Sequence, residues 1–161
     1  MARSRKANET VGPSQELKQW ASEEAKRRWY ATARDYWDAV SADDHGVLGG
    51  YASVHAADAA DSLAFARAVL GTEQRDRALD VCAGVGRVTE SVLLSLARSV
   101  DLFDASDQLI DAARLRLAWA GERVRQFICV AMEDFSPAPA TYDIVWIQWC
   151  VGYLSDDDLV A

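Results

Sequence analysis

Two clusters of residues in this 161-residue chain have types and spacing suited to chemistry. The run Cys82-Ala83-Gly84-Val85-Gly86-Arg87 follows the apolar stretch LDV, and glycines there let the backbone approach a ligand and turn the first amides of a following helix toward it. Asp104 closes a second apolar stretch, VDLFD, about eighteen positions after Gly86, where a carboxylate can accept both hydroxyl protons of a ribose. Met132 and Glu133 follow a third apolar stretch, and Gln148 and Trp149 end a fourth. Each has a plainer reading. The glycines could serve tight strand-to-helix packing, Asp104 could be a solvated strand end, and Trp146, Ile147, Trp149 and Trp37 could be core. Cys82, Cys129 and Cys150 are widely spaced in apolar runs, which suggests buried small side chains and neither a disulfide framework nor a metal site. His45 and His55 lack partner spacing for metal or triad chemistry and read as loop residues, and the acidic run Asp156 to Asp158 reads as favourable charge at a helix start capped by Ser155.

The elements that must position these clusters are legible in the periodicity. From Arg77 the chain alternates: RALDVC as strand, VTESVLLSLAR as helix, VDLFD as strand, DQLIDAARLRLAWA as helix with Ser106 its cap and Gly121 past its end, VRQFICV as strand, YDIVWIQWCV as strand, and a helix starting at SDDDL. Strands separated by single helices predict a parallel sheet of the α/β, Rossmann-like class, with ligands beyond the carboxyl ends of the strands, where the glycine turn and Asp104 fall. Residues 1–13 are polar and aperiodic and read as a disordered tail. Residues 14–75 read as a helical cap region: one long amphipathic helix from a Ser14 cap to about Ala39, a loop from Ser41 to Gly50, and a second helix over Ala60 to Leu70 ended by Gly71. Residues 76–161 are the N-terminal part of the sheet domain.

A formal net charge of −8 argues against nucleic-acid or anionic-membrane surfaces, which need clustered Lys and Arg. No run of about 20 apolar residues suggests a membrane span. The dinucleotide fingerprint fails at two of its three glycines, since Cys82 and Arg87 stand in those places. The shorter pattern from Asp80 to Gly86 suits a nucleoside ligand without a pyrophosphate, whose amino-acid end lies in the turn: S-adenosylmethionine.

The chain resembles the protein α-N-terminal methyltransferases, class I enzymes that methylate the α-amine of proteins beginning X-Pro-Lys or X-Pro-Arg. The resemblance is carried by YW at Tyr36-Trp37, GVLGGY from Gly46 to Tyr51, ALDVCAGVGRVT from Ala78 to Thr89, VDLFD, EDF from Glu133 to Phe135, and YDIVWIQWCVGYL from Tyr142 to Leu154. It implies that Gly84, Gly86 and Arg87 hold the methionine part of the cofactor and Asp104 the ribose, that Met132 and Glu133 line the adenine, and that Gln148 contacts cofactor. It further implies that Trp37, Trp149 and Tyr153 line the channel for the substrate N-terminus, that Leu48 and Gly49 help cover it, and that the setting is the cytoplasm and nucleus.

Three departures from the family pattern stand out. Cys82 replaces the first turn glycine, which predicts weaker cofactor binding unless this backbone position is an ordinary one. Tyr153 stands where a histidine is common, and Glu133 where a glutamine is. The family also continues for several strands beyond the helix near Ser155, and the asparagine and aspartates that bind and deprotonate the amine are expected beyond Ala161. The chain therefore reads as a fragment ending after four strands, with YDIVWIQW as an apolar edge. Two other classes are carried beside this one: a non-catalytic cofactor- or peptide-binding fragment, and another class I methyltransferase.

Overall fold

The computed structural model describes residues 22–160. Their centre is a four-stranded, all-parallel sheet in the order β3-β2-β1-β4, formed by β1 (Arg75–Val81), β2 (Ala97–Asp104), β3 (Val124–Cys129) and β4 (Ile144–Ile147). The alternation of side chains along a strand separates two cores. Ala78 of β1 and Val100 and Leu102 of β2 join the larger core, whereas Leu79 and Val81 of β1 and Phe103 of β2 join a smaller one with Cys150. Phe103 stacks on Phe135 there at 4.2 Å. The one charge buried on that face, Asp101, is held by Arg77 Nε at 3.0 Å and by the Tyr142 hydroxyl at 2.9 Å.

Before the sheet come α1 (Glu23–Ala39), α2 (Asp44–Val47) and α3 (His55–Leu70). Ser22 caps α1 by accepting the Ala25 N–H. The expected Ser14 cap, and the reading of residues 1–13 as a tail, lie outside the described residues. The expected loop from Ser41 to Gly50 contains α2 because the Asp43 side chain accepts the Gly46 N–H at 2.8 Å, satisfying an orphan amide of that turn. The helix α3 begins five residues earlier than expected, and Gly71, at φ +80°, ends it. Both histidines thus lie in helices: His45 in α2, and His55 at the start of α3, where its Nε2 meets Ser91 Oγ at 3.3 Å.

After β1, α4 is a π-helical stretch, Thr89–Leu93, followed by Leu94–Leu96. Ala97 and Arg98, expected at the end of this helix, already belong to β2, with Ala97 paired to Arg75. The helix α5 (Asp107–Arg116) passes into a 3-10 stretch, Ala118–Arg123, broken at Gly121, whose φ is +54°. Ser106 occupies the cap position of α5 without a capping hydrogen bond, and its buried hydroxyl has no partner. β4 is much shorter than the run YDIVWIQWCV because the backbone turns at Trp149, whose φ is +66°. Trp146 packs on the larger core and against Phe65, but Ile147, read as core, is exposed, as is Val145. Cys129, also expected to be buried, is exposed at the end of β3. The last element, α6 (Asp156–Val160), starts as expected, with Ser155 Oγ accepting the Asp158 N–H at 3.2 Å.

Candidate functional site

The carboxyl ends of β1, β2 and β4 open into one cavity. At one end Asp104, 8% exposed, receives the Gly84 N–H on Oδ2 at 2.9 Å and the Ser106 N–H on Oδ1 at 3.0 Å. Two backbone turns therefore fix its plane, and each oxygen keeps a lone pair directed elsewhere. Burial raises its pKa above the ordinary carboxylate value, against the pull of the amides of Ser106 and Gly84. Beside it on β1, Asp80 is fully buried and accepts the Thr89 hydroxyl at 2.6 Å. Burial pushes its pKa up to about 6, opposed by the Thr89 hydrogen bonds and by Arg87.

The turn between β1 and α4 runs through three left-handed residues: Cys82 at φ +52°, Gly84 at +56° and Gly86 at +76°. The position of Cys82 is thus not an ordinary one. An L-residue held there carries about 1 kcal/mol of strain that a glycine would not. Its Sγ lies 3.7 Å from Met132 Sδ. A hydrogen bond with the Cys150 thiol, reinforced by burial, pushes its pKa up, so Cys82 remains a neutral thiol.

At the other end Arg87, 6% exposed, donates from Nη1 to Asp58 Oδ2 of α3 at 2.5 Å. Asp58 Oδ1 accepts Gln148 Nε2 at 2.7 Å and Trp149 Nε1 at 3.3 Å. Gln148 Oε1 in turn accepts Trp146 Nε1 at 2.7 Å and the Ser62 hydroxyl at 3.3 Å.

The helix α1 covers the cavity. Tyr30, Arg34 and Trp37 fall on one helical face and all three line it. The cover is tied down by the Lys26–Asp158 ion pair at 2.6 Å, by the Tyr30–Asp158 hydrogen bond, and by Trp29 Nε1 donating to the Tyr153 carbonyl at 2.9 Å. Trp37 meets the Tyr153 ring edge-on at 6.1 Å, and Arg34 reaches Glu133 at 3.6 Å.

Of the residues singled out in the sequence, Gly84, Arg87, Asp104, Met132, Glu133, Gln148, Trp37, Trp149 and Tyr153 all line this cavity. Gly86, Leu48 and Gly49 do not. The Gly86 N–H donates to the Ala83 carbonyl, and a Cβ on Gly86 would lie 2.7 Å from Leu117 Cδ1, so this glycine makes room for the chain after α5. At the end of α2, Val47 faces the cavity and approaches Gly84, whereas in the loop after it a Cβ on Gly49 would meet nothing within 4 Å. Tyr30 and Arg34 went unread, although their helical spacing from Trp37 could have found them. Asp58 had no such signal, lying in an alanine-rich helix far from every motif. Among the described residues no group of three or more His, Cys, Asp or Glu could hold a metal ion.

The family model for AdoMet-dependent proline dimethyltransferases matches residues 25–161. The α N-terminal protein methyltransferase 1 of Arabidopsis thaliana is 38% identical over 164 aligned residues, which cover 95% of this chain and 57% of that protein. The N-terminal Xaa-Pro-Lys N-methyltransferase 1 of Danio rerio is 40% identical, covering 85% and 63%. Among solved structures, a SAM-dependent methyltransferase from Leishmania major superposes with a TM-score of 0.76 at 39% identity, covering 82% of this chain and 52% of that one. The phosphoethanolamine N-methyltransferase 1 of Haemonchus contortus, solved with S-adenosylhomocysteine, has a TM-score of 0.72 at 24% identity and shares the fold. The chain thus spans less than two thirds of the length of these relatives. With a Rossmann-like parallel sheet, a cavity at its carboxyl end and these matches, the chain belongs to the family of AdoMet-dependent proline dimethyltransferases.

Proposed function

We propose that this chain forms the cofactor-binding part of a methyltransferase that acts on the α-amine of proteins beginning X-Pro-Lys or X-Pro-Arg. The observation that carries the reading is the convergence of Asp104, Arg87 and Gln148 on one cavity roofed by Trp37 and Tyr153. The names of the relatives from Arabidopsis thaliana and Danio rerio support the substrate class.

The residues present fit S-adenosylmethionine. Asp104 has one lone pair per oxygen left for a ribose diol, and Arg87, with only Nη1 committed to Asp58, keeps donors for the methionine carboxylate. Ala105, Leu109 and Met132 give an apolar slot for adenine, with Glu133 placed to accept from its amino group. Bound there, the cofactor supplies an electrophilic methyl group on a sulfonium. The chain's own contribution is placement. Trp37, Tyr153 and Trp149 give flat apolar walls suited to a proline ring, and they exclude water that would keep the amine solvated. The net charge of −8 favours the approach of a basic tail.

Calorimetric titration with S-adenosylhomocysteine, then mass spectrometry of a peptide beginning Pro-Pro-Lys incubated with S-adenosylmethionine, tests the reading. Saturable binding is expected, and any transfer should go to the free-amine peptide and none to its N-acetylated form. A folded chain that binds no S-adenosylhomocysteine would overturn the cofactor site. Binding without transfer would overturn the activity of this chain and leave a cofactor-binding fragment.

A further inference from the structure

Three side-chain donors at the amino-acid end of the cavity share one acceptor. Arg87 comes from the turn after β1, whereas Gln148 and Trp149 come from the segment after β4, and all three donate to the single carboxylate of Asp58 on α3. Asp58 does not itself line the cavity. It is 14% exposed at its side chain and Arg87 8%, so the pair is largely withdrawn from water and its geometry is well defined. We infer that Asp58 is the positioning residue for the amino-acid end of the cofactor, an inference that rests on reading this cavity as an AdoMet site.

A free arginine side chain loses rotamer entropy when it forks onto a carboxylate. Asp58 restricts that freedom in advance by taking Nη1, and the remaining N–H groups are left for the methionine carboxylate. It also decides which way Gln148 points. A carboxylate only accepts, so Gln148 must offer it Nε2, which leaves Oε1 to Trp146 and Ser62 and fixes the amide plane. The indole of Trp149, 75% exposed and on a left-handed backbone, has Asp58 as its hydrogen-bond partner.

Two ligands that differ only at this end separate positioning from mere support of the fold. S-adenosylhomocysteine carries the amino-acid group, and 5′-methylthioadenosine lacks it while sharing the ribose and adenine. Calorimetry of Asp58→Asn and Asp58→Ala against wild type should show S-adenosylhomocysteine binding about tenfold weaker or worse, with 5′-methylthioadenosine changed by less than about twofold. Asp61→Asn, which removes an exposed charge from the same helix, should leave both affinities unchanged. Retained 5′-methylthioadenosine binding also certifies that each variant is folded. Equal loss of both ligands would make Asp58 a structural residue and overturn the inference, as would an unchanged S-adenosylhomocysteine affinity in a wild type that binds both. A folded wild type that binds neither would overturn the reading of the cavity as a cofactor site, and the inference with it.

Discussion

The two ends of the cavity are built in different ways. At the end proposed for the ribose, the Asp104 carboxylate belongs to the last residue of a buried strand, and main-chain amides hold it. At the end proposed for the amino acid, Arg87 and Gln148 are held by another side chain, Asp58, and two residues of the cavity, Cys82 and Trp149, have backbone conformations that L-residues rarely adopt. Main-chain support depends on fold alone, whereas side-chain support depends on each residue identity in a network. Substitutions at the second end should therefore be more local in effect, and those at the first should reach the whole protein.

The largest effect is expected at Asp104. Asp104→Ala leaves the buried amides of Gly84 and Ser106 without an acceptor, so stability should fall by about 2–4 kcal/mol in urea unfolding. Affinity for both S-adenosylhomocysteine and 5′-methylthioadenosine should drop by about a hundredfold or more. If only the first ligand were affected, the contrast between the two ends would be reversed.

Asp80 supplies a pH signature of the strand ends. Its folded pKa of about 6 lies above the ordinary 3.8, so the folded state binds the proton more tightly. Its contribution to stability is then fully present below about pH 4 and is lost as pH rises through 6, a change of roughly 2–3 kcal/mol at 1.36 kcal/mol per unit. Asp80→Asn, which keeps an acceptor for Thr89, should match wild type at pH 4 and be more stable by that amount at pH 7.5. Parallel thermal melts across that range would show it, and identical pH profiles would refute it.

A smaller effect is expected at Cys82. Cys82→Gly relieves the left-handed strain but adds chain entropy to the unfolded state and removes the thiol from its contact with Met132. Global stability should change by less than about 1 kcal/mol, while S-adenosylhomocysteine binds about threefold more tightly because the turn is no longer distorted. The smallest effect belongs to Glu133→Gln. Arg34 is half exposed, so breaking the pair should cost less than about 0.5 kcal/mol and remove only a weak salt dependence of binding.

The same contrast explains what was legible in the sequence. A parallel sheet places ligands at strand ends, so Asp104 and the turn after β1 could be read from the pattern of strands and helices, whereas Met132, Glu133 and Gln148 after β3 and β4 were legible only through the family resemblance. Asp58 could not, because a carboxylate in HAADAADSL looks like any solvated helix residue until α3 is laid against the sheet. The left-handed backbone at Cys82 was equally hidden, since it belongs to the turn and not to the residue type. Strand ends were misjudged for a related reason. The apolar run YDIVWIQWCV predicts a long buried strand, but Val145, Ile147 and Trp149 are exposed and the strand ends after four residues, just before the left-handed turn at Trp149.

Gly86 carries a warning for anyone scanning this turn by mutagenesis. Its missing side chain leaves space for Leu117 and Ala113, and its φ is +76°, so Gly86→Ala strains the turn and forces the buried Leu117 side chain to shift. Ligand would then be lost through a residue that never touches it, and a map of loss-of-binding positions would draw the contact surface one helix too deep.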